Sequence, residues 1–472
     1  MVFNSFSFVV FFVVVFLIYH LALNQHTKAQ NIFLLIASYF FYGYADLRML
    51  PILIGATVLY YLLGIGIEKS NDKRSTLLKT IGVILGLSLL GYFKYFNFFV
   101  DSFVSLLNHF GLQVHWHTMQ IIMPLGISFF TFRLLSYILE IDRRHIVASR
   151  NIISFALYVA FFPCLLAGPI DRPNTFLPQL EKKRVFNYEL SVNGLRQVLW
   201  GLFKKVVIAD NLSIYVDTVW NNTLDLVPQS ASTLLLVTIL YIFQLYADFS
   251  GYSDMAIGIA KLLGICLADN FRAPLFALNI ADYWKRWHIS LTTWLTDYVF
   301  MPLNIKFRNL NKWGIIFAIL ITFILIGLWH GADWTFGLFG LYHGLLYVPL
   351  ILSGAFYRKT KLTTNQYGLP VFRDFCRILL TNILVMFGLL LFRAPSLAGC
   401  WHFIESLCDS SILSLPQVEN IPHLLVVGVA IFVMLLMEWK NRLPNRWWMY
   451  YALTLAIWWF AGQDIDFIYF QF

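Results

Sequence analysis

Apolar runs of bilayer-spanning length recur along this chain from Phe6 to Ala461, and a segment of about 20 such residues is what a transmembrane helix requires. That repetition leaves little room for a water-facing fold. Hydrophobic residues make up 59% of the sequence and charged ones 12%, with a mean hydropathy of +0.69, whereas a soluble domain carries about 25% charge. An all-α, polytopic membrane protein follows, read as one integral membrane domain over residues 1–472. The first run, 6–23, lacks a basic start and a small-residue cleavage site and is read as a retained helix rather than a secretory signal. The net charge of +9 does not gather into a basic, aromatic-interleaved face, so nucleic acid is not an expected partner.

The cations instead report orientation. Lys and Arg concentrate in 69–79, 143–150, 182–205, 272–312, 358–377 and 440–446, while 101–117, 217–232, 394–423 and the tail after Arg446 contain none. The positive-inside rule places the first set in the cytoplasm and the second outside. Threading between them gives spans near 6–23, 31–46, 49–67, 78–100, 119–141, 193–214, 232–262, 314–333, 334–357, 378–393, 423–438 and 447–461. About 11–12 transmembrane helices are expected, with both termini outside.

Two segments resist this scheme. Residues 152–167 have basic loops on both sides and are followed by Gly168, Pro169 and Pro173. They are expected to be re-entrant, with a broken backbone buried in protein or lining a wet cavity. Residues 279–302 interleave Asp282, Lys285, Arg286, His288 and Asp297 with Tyr283, Trp284, Trp287 and Trp294. They are too charged to span and suit an amphipathic interfacial helix, or one dipping into a cavity. Cys164, Cys266 and Cys376 read as packing thiols; Cys400 and Cys408 share one expected outer loop, where an oxidising exterior would permit a disulfide.

Histidine inside an apolar helix marks a functional candidate, because its ring needs a polar partner or a wet cavity. GLWHGADWTFGLFGLYHG, 327–344, carries two, His330 and His343. Either can act as acid or base near neutral pH, and either can equally be a packing histidine bonded to a carbonyl. Asp333 follows His330 by three residues, so it would share a helix face and orient the imidazole if the helix continues, or cap a second helix if it does not. Trp329 and Trp334 fit packing or interfacial roles. In YWKRWHISLT, Lys285 and Arg286 could hold donor phosphates while His288 bonds a substrate group, or the segment could simply snorkel its charges to headgroups. The stretch YADFSGYSDMAIG, 246–258, puts Asp248, Ser250, Ser253 and Asp254 in an otherwise apolar span, which implies a cavity or helix–helix hydrogen bonds. No metal-ligand spacing, phosphate-binding loop, dinucleotide fingerprint or serine-hydrolase elbow occurs, so ATP-driven transport and serine hydrolysis lose support.

These motifs, with FFPCLLAGPIDRP, PLGISFFTF, ADNFRAPL and the closing FIYFQF, resemble in their order the membrane-bound O-acyltransferases. The resemblance is narrower to the bacterial branch that acetylates alginate, peptidoglycan and other envelope polysaccharides. It implies a ring of helices around a central tunnel, transfer of an acyl group to a hydroxyl, and a multi-pass location in the bacterial cytoplasmic (inner) membrane. By the same resemblance His330 is the catalytic histidine and His288 the second family histidine, which either catalyses or shapes the tunnel; Asp333, His343 and Trp329 are the candidate supporting residues. The implied donor is acetyl-CoA, with Arg272, Lys285 and Arg286 contacting it, and no bound cofactor or metal is implied. Membrane lipid and a periplasmic or membrane-anchored acetyltransferase are the implied partners. D-alanyl transfer is the alternative within the fold; an ion-coupled transporter and an assembly scaffold are the alternatives outside it.

Overall fold

A computed structural model describes residues 1–112, 121–224, 227, 229–358, 360–440, 443–462, 465, 467 and 468. Among these no β-strand forms, and Thr364–Pro370 is an isolated backbone bridge. Every expected span overlaps helix where it is described, although 121–126 and 331–333 are not helical. Seven helical stretches are long and apolar enough to cross a membrane, and the first of them, Thr27–Lys69, holds two of the expected spans. The four remaining spans fall short for identifiable reasons. The helices at Phe6–Leu17, Ile127–Asp142 and Trp447–Phe460 are short, and the stretch 188–224 carries several charges, of which Lys204, Lys205 and Asp210 are buried in the protein.

Chain contacts divide the molecule into two compact units. The first comprises Met1–Val198 and Met255–Ala268. It contains α1 (Phe6–Leu17), α2 (Thr27–Asp46), α3 (Leu50–Lys69), α4 (Asp72–Leu90), α5 (Phe96–His109), α6 (Ile127–Asp142), α7 (Ile152–Ala160), α8 (Phe162–Leu165), α9 (Pro173–Glu181) and most of α10 (Tyr188–Leu202). The expected re-entrant stretch is the broken pair α7 and α8, nearly all of it buried. A break exposes carbonyls that helix would have satisfied. Arg133 of α6, 1% exposed, takes them up: Nη1 donates to the carbonyls of Tyr158 and Val159, and Nη2 to those of Cys164 and Pro169, at 2.7–3.3 Å. The backbone departs from helix there because one guanidinium replaces its missing donors.

The second unit comprises Leu199–Asp254 and Asp269–Phe472. Its helices are α11 (Asp210–Leu224), the larger part of α12 (Ala231–Leu262), α13 (Ile280–Trp284), α14 (Ile289–Leu295), α15 (Met301–Lys306), α16 (Lys312–His330), α17 (Trp334–Leu345), α18 (Val348–Leu352), α19 (Phe372–Arg393), α20 (Leu397–Leu407), α21 (Ile421–Trp439) and α22 (Trp447–Phe460). The acidic residues of YADFSGYSDMAIG are matched by two lysines that fall both in the basic set 182–205 and in the expected span 193–214. Lys204 and Lys205 lie in a π-helical stretch, Phe203–Ala209, with side chains 4% and 1% exposed. Lys204 Nζ contacts Asp254 at 2.9 Å and Glu438 at 3.0 Å; Lys205 Nζ contacts Asp248 at 2.7 Å and Asp210 at 2.8 Å. The other oxygen of Asp248 accepts from the amide of Ile468 at 2.9 Å. Of the closing motif, Phe467 and Ile468 are placed, and residues 469–472 lie outside those described.

The disulfide that a shared outer loop would permit does not form. Cys400 and Cys408 are both free thiols, because one lies within α20 and the other caps its end. Eight residues of helix separate them by about 12 Å, beyond the roughly 7 Å a disulfide can bridge.

Candidate active site

The hairpin of α16 and α17 is built by glycine at the points of closest approach. A β-carbon on Gly327 would overlap the Phe336 carbonyl, and one on Gly340 the Phe323 carbonyl, so the two backbones touch only because neither residue has a side chain. Helix α16 ends at His330, where Gly331 turns extended (φ −159°, ψ 157°). Asp333 then caps α17, its Oδ1 accepting from Thr335 N–H at 2.9 Å. Of the two roles open to Asp333, the structure shows the cap: the helix does not continue past His330, and the one-turn spacing that would align carboxylate and imidazole is lost. Trp334 is exposed, as an interfacial aromatic would be, whereas Trp329 is buried.

His288 is fully buried and adopts a left-handed backbone conformation (φ 44°, ψ 52°) at the start of α14, a strained choice for a residue other than glycine and one that clusters at functional sites. It breaks the segment 279–302 into short helices, so the single amphipathic helix expected there does not form. Asn270 holds the break. Its backbone carbonyl accepts from Ile289 N–H at 2.9 Å, and its side-chain Oδ1 accepts from Ser290 N–H at 3.3 Å and Ser290 Oγ at 2.9 Å. Because a backbone amide can only donate, that oxygen is an acceptor. His288 Nδ1, 3.1 Å from it, therefore carries the proton, and in the neutral ring Nε2 bears the lone pair. Asn270 Nδ2 completes the clamp by donating to Ser253 Oγ on α12 at 3.1 Å.

The fold brings His288, Trp329 and His330 together. Ring centres lie 5.5 Å apart for His288 and Trp329, 5.0 Å for Trp329 and His330, and 6.3 Å for the two histidines. Phe249 abuts His288 at 4.7 Å and Phe392 abuts His330 at 5.2 Å. His343 lies farther along α17, where Trp284 Nε1 donates to its Nδ1 at 3.3 Å; its Nε2 faces Gly388, whose missing side chain makes the space. His330 and His343 line a cavity of about 20 Å³ walled by Trp284, Phe339, Leu389 and Phe392, room for about one water. A second, more open cavity of about 390 Å³ runs past Lys285, Thr292, Thr293, Thr296 and Asp297. Trp284 borders both.

The three cationic candidates separate. Lys285 is exposed and lines the larger cavity. Arg286 spends Nε on Asp282 at 3.0 Å, and Arg272 is an exposed partner of Asp269 at 3.4 Å. Among the described residues no cluster of His, Cys, Asp and Glu has a metal-binding arrangement. Asn270 is the site residue that residue-by-residue reading misses; an asparagine in a loop carries no periodicity and no unusual charge. Replacing Asn270 with Leu should cut acyl-transfer turnover on the order of 10²-fold by releasing the His288 tautomer, with Asn270→Asp, which keeps an acceptor, retaining more of it. Turnover of the two purified variants checks this, and equal losses would refute a tautomer-setting role.

The chain matches the membrane-bound O-acyltransferase family profile over residues 109–392, a region that contains all three histidines. It is 34% identical over 430 residues to a protein of Pseudomonas aeruginosa named probable alginate O-acetylase AlgI, covering 89% of this chain and 77% of that one. It is 35% identical to the peptidoglycan O-acetyltransferase of Helicobacter pylori, over 73% and 69% of the two chains. A teichoic acid D-alanyltransferase of Streptococcus thermophilus is 31% identical over 51% of this chain and 59% of its own. With its helices, its paired histidines and this match over more than half its length, the chain belongs to the membrane-bound O-acyltransferase family.

Proposed function

We propose that this protein moves acetyl groups from acetyl-CoA on the cytoplasmic side of the bacterial inner membrane toward a hydroxyl of a cell-envelope polysaccharide outside it. The observation that carries the reading is the buried pair His288 and His330, drawn together in a chain whose relatives over most of its length are named for O-acetylation of alginate and peptidoglycan. The positive-inside distribution of Lys and Arg supports the orientation.

In this reading the donor enters along the larger cavity, with Lys285 available to its phosphates, and the thioester carbonyl comes to His330. The acceptor hydroxyl attacks that carbonyl, its proton passes to an imidazole, and the carbon–sulfur bond breaks with the proton delivered to the departing thiolate. Asn270 keeps His288 in the tautomer whose Nε2 accepts a proton. A separate periplasmic or membrane-anchored acetyltransferase completes delivery to the glycan, docking on the loops that carry no Lys or Arg.

The test is thiol release by the purified protein in detergent, with acetyl-CoA in one arm and an aminoacyl carrier-protein thioester in the other. Turnover of acetyl-CoA is expected. Turnover of the carrier thioester alone would move the reading to D-alanyl transfer, and ion or solute flux in proteoliposomes without thiol release would replace it with transport.

A further inference from the structure

The bond between Trp284 and His343 decides where the proton of a buried imidazole sits. Trp284, the last residue of α13, donates its Nε1–H to His343 Nδ1 at 3.3 Å. An indole nitrogen can only donate, so Nδ1 is an acceptor and carries no proton; a protonated ring would set two N–H groups against each other. The neutral ring therefore holds its proton on Nε2. Among the described residues the Trp284 bond is the one hydrogen bond that His343 makes, and the residue is 1% exposed. Gly388 makes the room for Nε2, since a β-carbon there would overlap it. A buried N–H without an acceptor is costly, and native proteins keep few.

The open space beside this ring is the cavity of about 20 Å³ that His343 shares with His330. It has room for about one oxygen atom, and an atom held there lies against both imidazoles. Leu245, Val385, Leu389 and Phe392 are among its other walls, and in such apolar surroundings a hydrogen bond is electrostatically stronger than in water. The fold also sets two histidines in opposite senses. Asn270 leaves His288 with a lone pair at Nε2, whereas Trp284 leaves His343 with an N–H there. One is fitted to accept a proton and the other to donate a hydrogen bond.

Acyl transfer needs such a donor. When a hydroxyl attacks a thioester, the new carbon–oxygen bond forms, the hydroxyl proton goes to the base, and the carbonyl π pair becomes an oxyanion. Collapse restores the carbonyl, breaks the carbon–sulfur bond and returns a proton to the thiolate. A preorganised N–H at the oxyanion stabilises its charge without surrendering the proton, and a neutral histidine serves as such an electrophile elsewhere. We infer that His343 is the oxyanion donor of this transfer, its Nε2–H bonding the thioester carbonyl oxygen as charge develops there, and that Trp284 is the positioning residue that sets its tautomer. The inference rests on the acyl-transfer reading and holds for whichever acyl group is carried.

The experiment follows thiol release from acetyl-CoA by the purified full-length protein in detergent. Glutamine places an amide N–H near the Nε2 position; leucine has no donor, and asparagine is too short to reach. His343→Leu and His343→Asn are expected to lower kcat about 10²–10³-fold, the cost of one oxyanion donor, with KM within about twofold of wild type. His343→Gln is expected to stay within about tenfold of the wild-type kcat. Trp284→Phe is expected to lower kcat in the wild-type background but not in the His343→Gln background, because an amide has no tautomer to set; a structural role would cost the same in both. Wild-type kcat in His343→Leu and His343→Asn, or a loss in His343→Gln as large as theirs, overturns the oxyanion donor. Equal losses from Trp284→Phe in the two backgrounds overturn the positioning role. Should His343→Leu fail to fold, the asparagine and glutamine variants decide. Wild-type protein that leaves acetyl-CoA intact but cleaves an aminoacyl carrier-protein thioester sinks the acetyltransferase reading alone, and the variants are then compared on that thioester, whose carbonyl passes through the same oxyanion. Wild-type protein that cleaves neither sinks both.

Discussion

Replacing His330 with alanine will lower thiol release from acetyl-CoA by about 10²–10⁴-fold, the range that a positioned acid–base group contributes. The expectation rests on placement. His330 is the residue at which α16 stops, it is 5% exposed, and it lines the cavity with Phe339 and Phe392. His343 lines the same cavity but is engaged through Nδ1 by Trp284, so His343→Gln should cost less than His330→Ala. The comparison is made on purified protein by following free thiol, with envelope O-acetyl content in a complemented deletion strain as the second readout. If His330→Ala turns over at the wild-type rate and His288→Ala does not, the chemistry belongs to His288 alone.

The largest expected loss of stability comes from Lys205→Met. Methionine preserves the volume and leaves Asp210 and Asp248, both 3% exposed at the side chain, without their shared cation. Removing one partner of a buried ion pair costs about 3–5 kcal/mol, because the charge left behind has no compensation. Neutralising both acids as well, in Lys205→Met with Asp210→Asn and Asp248→Asn, should recover much of the loss, since well-packed neutral replacements of buried ion pairs are often tolerated. Thermal unfolding in detergent measures both. A single variant as stable as the wild type would mean that water, rather than Lys205, compensates these carboxylates.

These two residues illustrate different degrees of legibility. His330 stands out in the linear chain, because a histidine in an apolar, glycine-rich run has no other way to be accounted for than by a partner or a function. Lys205 misleads. The positive-inside count treats it as a cytoplasmic cation, yet it is buried within the expected span 193–214 and neutralises acids 5 and 43 residues away, Asp210 and Asp248. The polar stretch 246–258 announces internal partners without naming them. Arg133 is similar: a lone arginine in an apolar run shows that something must pair with it, and the broken backbone of α7 and α8 supplies the answer as four carbonyls.

Hydropathy and charge placement by themselves determined an all-helical membrane protein, the approximate positions of its helices, the broken segment 152–167 and the two histidine-bearing segments. Those are local properties, set by the transfer of side chains from water to hydrocarbon and by backbone groups that must be satisfied there. Only the tertiary structure decided that Asp333 is a cap rather than an orienter, that Cys400 and Cys408 stay apart, and that Asn270 sets the His288 tautomer. It also decided that Arg393 lies between the rings of Trp220 on α11 and Tyr241 on α12. Each of these depends on where a chain ends its helix or which distant atom fills a hydrogen bond, and hydrogen bonds are directional and short-ranged, so no pattern along the sequence encodes them.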